Sequence, residues 1–118
     1  MKYLLMIYSS EAEWARPGND AVKADIIAGH EMLRDELQAS GMEWLGARLA
    51  DTPTARTLVQ TAEGKIVHDG PFAETKEQLA GVYLIEAPDM AAAEAWGRKI
   101  PQIRGGKVEV RAVIYTPT

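Results

Sequence analysis

The chain holds two imidazoles, His30 and His68, and imidazole is the side chain whose ordinary pKa lets it give or take a proton near neutrality. Val22, Ile26, Gly29, Leu33 and Leu37 follow one another at helical spacing and draw one apolar stripe along a helix. His30 falls roughly 50° from the centre of that stripe, at the border between the buried face and solvent, one turn from Ile26 and one turn from Arg34. A border imidazole sees a low dielectric, and a neighbouring carboxylate can then tune it for general acid–base work. The plainer alternative is a half-buried histidine bonded to a backbone carbonyl. A carboxylate for it is available in His68-Asp69-Gly70-Pro71-Phe72, where a strand ends in a turn. Gly70 allows positive φ and Pro71 fixes the chain beyond it, so Asp69 is held rigidly at a strand end. His30 and Asp69 are therefore a candidate catalytic dyad, with the imidazole coming from a helix packed above the strand. Asp69 bonding the amides of its own turn is the structural alternative. His68 points to the opposite face from Asp69 and does not join the same site. Glu74 and Lys76 follow closely as candidate ligand-binding residues, and a solvated charged face is the alternative for both. Thr75-x-x-Gln78 has capping-box form and predicts a short helical turn there.

Other chemistries find little support. Without cysteine there is no disulfide, thiolate zinc site, iron–sulfur cluster or cysteine nucleophile. Two histidines 38 residues apart among scattered carboxylates have no metal-ligand spacing, so no metal is expected. Ser9, Ser10 and Ser40 lie outside any Gly-x-Ser-x-Gly elbow, and no phosphate-cradling glycine loop is present. No redox cofactor is required by the residues. Trp14, Trp44 and Trp96 are isolated and read as packing aromatics. Thirteen Lys plus Arg against 17 Asp plus Glu leave a formal charge of −4, without the basic balance of a nucleic-acid binder. The apolar run Tyr3–Tyr8 is too short to span a bilayer and has no cleavage pattern after it. The expectation is a soluble, cytoplasmic protein with no nucleic acid and no membrane among its partners.

The elements that must position these residues are legible in outline. Tyr3–Tyr8 is a short apolar run of β-formers and reads as a strand buried on both faces. Pro17-Gly18-Asn19 marks a loop, and Asn19 or Asp20 caps the helix that Gly41 ends. Met42–Leu49 reads as a strand. Arg56–Thr61 and Lys65–His68 flank Ala62-Glu63-Gly64, the form of a hairpin with a glycine bulge. Gly81–Ala87 is a further strand, apolar on both faces. Asp89 opens a second helix with the stripe Ala92 or Ala93, Trp96 and Ile100, which Pro101 stops. Lys107–Tyr115 alternates as the last strand.

With 118 residues, 47% of them hydrophobic, the chain suits one globular domain over 1–118. The order strand, helix, strand, hairpin, strand, helix, strand is the split βαβ plan: an α+β ferredoxin-like fold with an antiparallel sheet and an inserted β-hairpin. Two helices cover one face of such a sheet, yet Tyr3–Tyr8 and Val82–Ile85 place apolar side chains on both. A second copy closing the open face, in a homodimer, is the expectation.

Asp69-Gly-Pro-Phe-Ala-Glu-Thr-Lys-Glu-Gln, followed by Gly81-Val-Tyr-Leu-Ile-Glu-Ala, resembles the DGPF-type branch of the YCII-related proteins. The opening Met1-Lys-Tyr-Leu-Leu-Met-Ile-Tyr and the closing Gly106-Lys-Val-Glu-Val-Arg are similar as well, so the resemblance covers nearly the whole chain. It implies a ferredoxin-like fold paired into a dimeric α/β barrel. It also implies a histidine and an aspartate in a pocket, which match His30 and, at the start of the motif, Asp69. Two functions are consistent with it. One is a small-pocket enzyme in which His30 is the acid–base, Asp69 orients it, and Glu74 and Lys76 shape the ligand site. The other is a non-catalytic ligand-sensing or regulatory module, linked to extracytoplasmic-function sigma factor signalling because some relatives are encoded beside such factors.

Overall fold

In the computed structural model, which describes residues 1–117, the N-terminal apolar run forms β1 (Lys2–Ser9) at the centre of a sheet. A single helical turn α1 (Glu11–Trp14) follows, capped by Ser10, and then the long helix α2 (Asp20–Ala39). β2 (Leu45–Arg48), the hairpin strands β3 (Arg56–Thr61) and β4 (Gly64–Asp69), β5 (Gln78–Glu86), α3 (Met90–Gly97) and β6 (Lys107–Ala112) complete the chain. The main sheet has the order β2-β5-β1-β6 with every neighbouring pair antiparallel. Each strand–helix–strand unit thus skips one position in the sheet, which is the expected ferredoxin-like arrangement.

The register explains which residues meet. Tyr3 pairs with Ile85, Leu5 with Tyr83 and Ile7 with Gly81, so these six share the face that the helices cover. Tyr3, Leu5, Ile7, Tyr83 and Ile85 are buried there with Leu33 and Leu37 of α2, Ala93 of α3, and Ile100. The alternate residues Leu4, Met6, Val82 and Leu84 lie on the opposite face, where Leu45 of β2 joins them. No helix covers that face within the chain, and these side chains remain half-buried or exposed. Val22, at the start of the apolar stripe of α2, runs past the sheet and is exposed, whereas Ile26, Leu33 and Leu37 are buried.

The second helix begins as its sequence predicts: the Asp89 carboxylate accepts the Ala92 amide at 2.9 Å. In the hairpin, Gly64 takes the positive φ (+117°) while Ala62 and Glu63 do not, which is the expected turn followed by a glycine in the left-handed region. Four local differences have local causes. The stretch read as loop after Ser10 contains α1, because Ser10 Oγ accepts the Glu13 amide and so caps a turn. β2 pairs over only four residues, since Met42–Trp44 turn inward to pack on the core. Thr75-x-x-Gln78 makes no helical turn: Gln78 is the first residue of β5, and its side chain accepts from the Glu11 amide and donates to the Thr75 carbonyl. β6 stops at Ala112, so Ile114 has no strand to hold it and is 99% exposed.

β3 and β4 pair only with each other and form a separate two-stranded sheet. Its apolar residues Leu58, Val59, Ile66 and Val67 are exposed. The radius of gyration is 16.2 Å, against about 13.5 Å for a compact domain of this length, and the shortest dimension is 19 Å. The protomer is a flattened body with the hairpin extended from it.

Candidate functional site

At the β2 edge of the helix-covered face, α2 and the segment 44–51 stand apart and leave a cavity of about 310 Å³. α1 closes one end through Trp14, and β5 forms the floor through Ala80, Gly81 and Tyr83. Two glycines make this geometry possible. A Cβ on Gly46 would stand 2.8 Å from Cε1 of Tyr83, so only glycine in β2 leaves room for the phenol ring between the strand and α2. A Cβ on Gly29 would come within 2.9 Å of Pro101 Cγ, and its absence lets the chain after α3 lie directly on α2.

The polar centre of the cavity is a pair. His30 Nδ1 lies 2.8 Å from the Tyr83 hydroxyl, and the two rings stack with centroids 5.9 Å apart and an interplanar angle of 14°. Trp44 packs on the Tyr83 ring at 6.3 Å. Burial lowers the pKa of His30 below 6.5; the positive charges of Arg34 and Arg48 act in the same direction, and the Pro101 backbone carbonyl beside the ring opposes them. Burial raises the pKa of Tyr83 above 10.0, with Arg34 opposing. At neutral pH the pair therefore consists of a neutral imidazole and a protonated phenol. The contact serves either tautomer: Tyr83 donates to Nδ1 when the ring proton is on Nε2, and accepts from Nδ1–H when it is not.

Arg34 and Arg48 both line the cavity. Arg34 is one turn beyond His30 on α2, which puts both side chains on one helix face. Arg48 closes β2, and its guanidinium lies 5.4 Å from the centroid of the Trp14 ring. Glu11 and Asp51 also line the cavity, and the Glu11 carboxylate is fully occupied: one oxygen accepts the Thr52 amide at 2.7 Å, the other the Thr52 hydroxyl at 2.6 Å.

The other residues singled out in the sequence stand elsewhere. Asp69 ends β4 on the hairpin with its side chain 89% exposed, and its partner is Arg56 at 3.6 Å. No hydrogen bond joins it to His30 among the described residues, and it does not line the cavity. Within the protomer the hydrogen-bond partner of His30 is a tyrosine. Glu74 and Lys76 lie in the irregular segment between β4 and β5, both exposed, and neither lines the cavity. In that segment it is Glu77 that is engaged, in an ion pair with Lys107. His68 is exposed on β4. Among the described residues no group of three or more His, Asp or Glu is placed to hold a metal ion, and no helix is long and apolar enough to cross a membrane.

Tyr83, Arg48 and Gly46 went unmarked in the sequence, and Trp44 was marked only as a packing aromatic. Tyr83 sits in a run read as a strand apolar on both faces, and only the register of β5 against β2 and its position beneath α2 bring it to His30. Arg34, one turn from His30, was the one legible signal.

A ferredoxin-like sheet with an inserted hairpin, and a half-buried histidine on the first long helix, define the class of protein. The chain belongs to the YCII-related family, whose domain model matches residues 1–116. It is also similar to an uncharacterised protein of Rhizobium meliloti (strain 1021), 35% identical over 123 residues that cover 99% of this chain and 96% of that one.

Proposed function

We propose that this protein is a small-molecule enzyme whose cavity binds its substrate beside His30, and that His30, supported by Tyr83, exchanges a proton with it. The observation that carries this reading is the 2.8 Å contact of His30 with Tyr83 inside a cavity flanked by two guanidiniums. A neutral imidazole of lowered pKa arrives as a base. The stacked phenol fixes its orientation and the hydroxyl follows a change of tautomer, since it can donate to Nδ1 or accept from it. Protonated His30 would face Arg34 and Arg48, which disfavours it in the free protein; a substrate that offsets those charges makes the protonated state accessible. Asp69 takes part in this reading only if a second copy presents it, and we take its Asp69-Gly-Pro-Phe motif as support for assigning the chain to the DGPF branch of the family.

The assembly we propose is a homodimer through the face carrying Leu4, Met6, Leu45, Val82 and Leu84, paired into an α/β barrel. A row of apolar side chains across three strands with no cover in the chain supports it. The test of the activity is deuterium incorporation from D2O into a panel of small carbon acids, followed by NMR. An exchange activity that His30→Gln abolishes and Tyr83→Phe reduces supports the reading. An exchange activity that survives His30→Gln contradicts it.

A further inference from the structure

We propose that the cavity is built for a small carboxylate with a flat apolar body, its carboxylate held by Arg34 and Arg48 and its body against Trp44 and Ile27. This rests on the reading that the cavity is the functional site and adds the class of ligand. The two guanidiniums are the first ground. Neither makes a hydrogen bond or ion pair within the chain among the described residues, although the chain pairs Arg16, Arg56, Lys99, Lys107 and Arg111 with carboxylates. The Arg48 guanidinium stands over the Trp14 ring at 5.4 Å, a contact that uses none of its N–H donors. Arg34 comes from the opposite wall. Two unpaired planar donors on one cavity match the two oxygens of a carboxylate.

The carboxylates on the same cavity do not cancel them. Glu11 spends both oxygens on Thr52, and Asp51 adjoins Thr52 at that same end. The charges that act on His30 are both guanidiniums. Neither Glu11 nor Asp51 forms an ion pair with Arg34 or Arg48 among the described residues. The rest of the lining selects the body: Ile7, Ile26, Ile27, Trp44 and Leu49 are apolar. About 310 Å³ is at the small end of ligand cavities, which run roughly from 300 to 1,000 Å³, so one small ring or a short chain fits.

The test is a titration of the intact protein with benzoate and, separately, with benzamide and inorganic phosphate, read by calorimetry and by the indole NMR signals of Trp14 and Trp44. Benzamide keeps the ring without the charge, and phosphate keeps charge without the ring. Saturable benzoate binding that moves both indole signals is expected, with benzamide and phosphate each weaker. Arg34→Gln and Arg48→Gln should each weaken benzoate about tenfold, corresponding to ~1.4 kcal/mol for one charge-assisted pair, and leave benzamide unchanged. Both arginines are exposed, so neither variant threatens the fold. Equal binding of benzoate and benzamide, phosphate binding as tight as benzoate, or benzoate binding indifferent to both substitutions would overturn the proposal. The two claims separate in the parent chain: absence of proton exchange in a protein that still binds benzoate counts against the enzyme and not against the ligand class.

Discussion

Tyr83→Phe removes one oxygen from the molecule and, on the geometry described, two effects follow together. The ring of Tyr83 is 6% exposed and stacks on His30 and Trp44, so phenylalanine keeps the packing and loses only the hydroxyl. What is lost is one hydrogen bond of 2.8 Å to a half-buried imidazole nitrogen. A net hydrogen bond contributes about 0.5–1.5 kcal/mol, and the nitrogen left behind is only half-buried and can regain water, which favours the middle of that range. A loss of about 1 kcal/mol corresponds to a fall in Tm of roughly 3–6 °C for a domain of this size. The second effect concerns the His30 titration. Burial, Arg34 and Arg48 hold the His30 pKa down and all remain in the variant, and the hydroxyl can bond the neutral or the protonated ring, so the His30 pKa should stay below 6.5. Denaturant melts at one fixed protein concentration give the first quantity, and a pH titration of the His30 Cε1–H signal gives the second. Unchanged stability, or a His30 pKa that rises to 6.5 or above, would refute the reasoning.

Four further outcomes follow. Gly46→Val places side-chain atoms where Tyr83 Cε1 already stands at 2.8 Å from the Cβ position, so it should cost about 1–3 kcal/mol and abolish benzoate binding, read by melts and calorimetry. Asp69→Asn removes a partner from an ion pair whose side chains are 71% and 89% exposed; stability should change by less than about 0.5 kcal/mol and the His30 titration in the protomer should not move. Because the folded pKa of His30 is depressed, the unfolded chain takes up the proton first as pH falls. Stability should therefore drop as pH is lowered from 6.5 towards the folded pKa, be flat above 6.5 for this group, and lose that dependence in His30→Gln. Leu84→Arg puts a charge in the middle of the uncovered sheet face, and light scattering at micromolar concentration should show a dimer for the parent chain and a monomer for the variant.

The parts of the fold that were legible in the sequence are those governed by local pattern. The apolar run Tyr3–Tyr8, the stripe through Ile26, Leu33 and Leu37, the Asp89 cap and the glycine of the hairpin each act within a few residues, and each formed. The site was legible in part. His30 showed itself by its angle on α2, and the structure places it half-buried in the cavity as a border position requires. Its partner was not legible, because Tyr83 lies 53 residues away and reaches it only through strand register and the space that Gly46 leaves. Asp69 attracted notice through its turn chemistry, which is a local property. Where the hairpin carries that turn depends on how β3 and β4 leave the body, and no periodicity reports that. Arg48 could be read as an ordinary surface charge until Trp14 on α1 was seen to hold it at the cavity.

The central claim joins a proton on His30 to an anion between two arginines, and one measurement addresses both: the pKa of His30 by NMR, without and with saturating benzoate. The account predicts a value below 6.5 in the free protein, set by burial and by Arg34 and Arg48, and an upward shift when the carboxylate offsets their charge. A free-protein value at or above 6.5, or a value that saturating benzoate leaves in place, would contradict it.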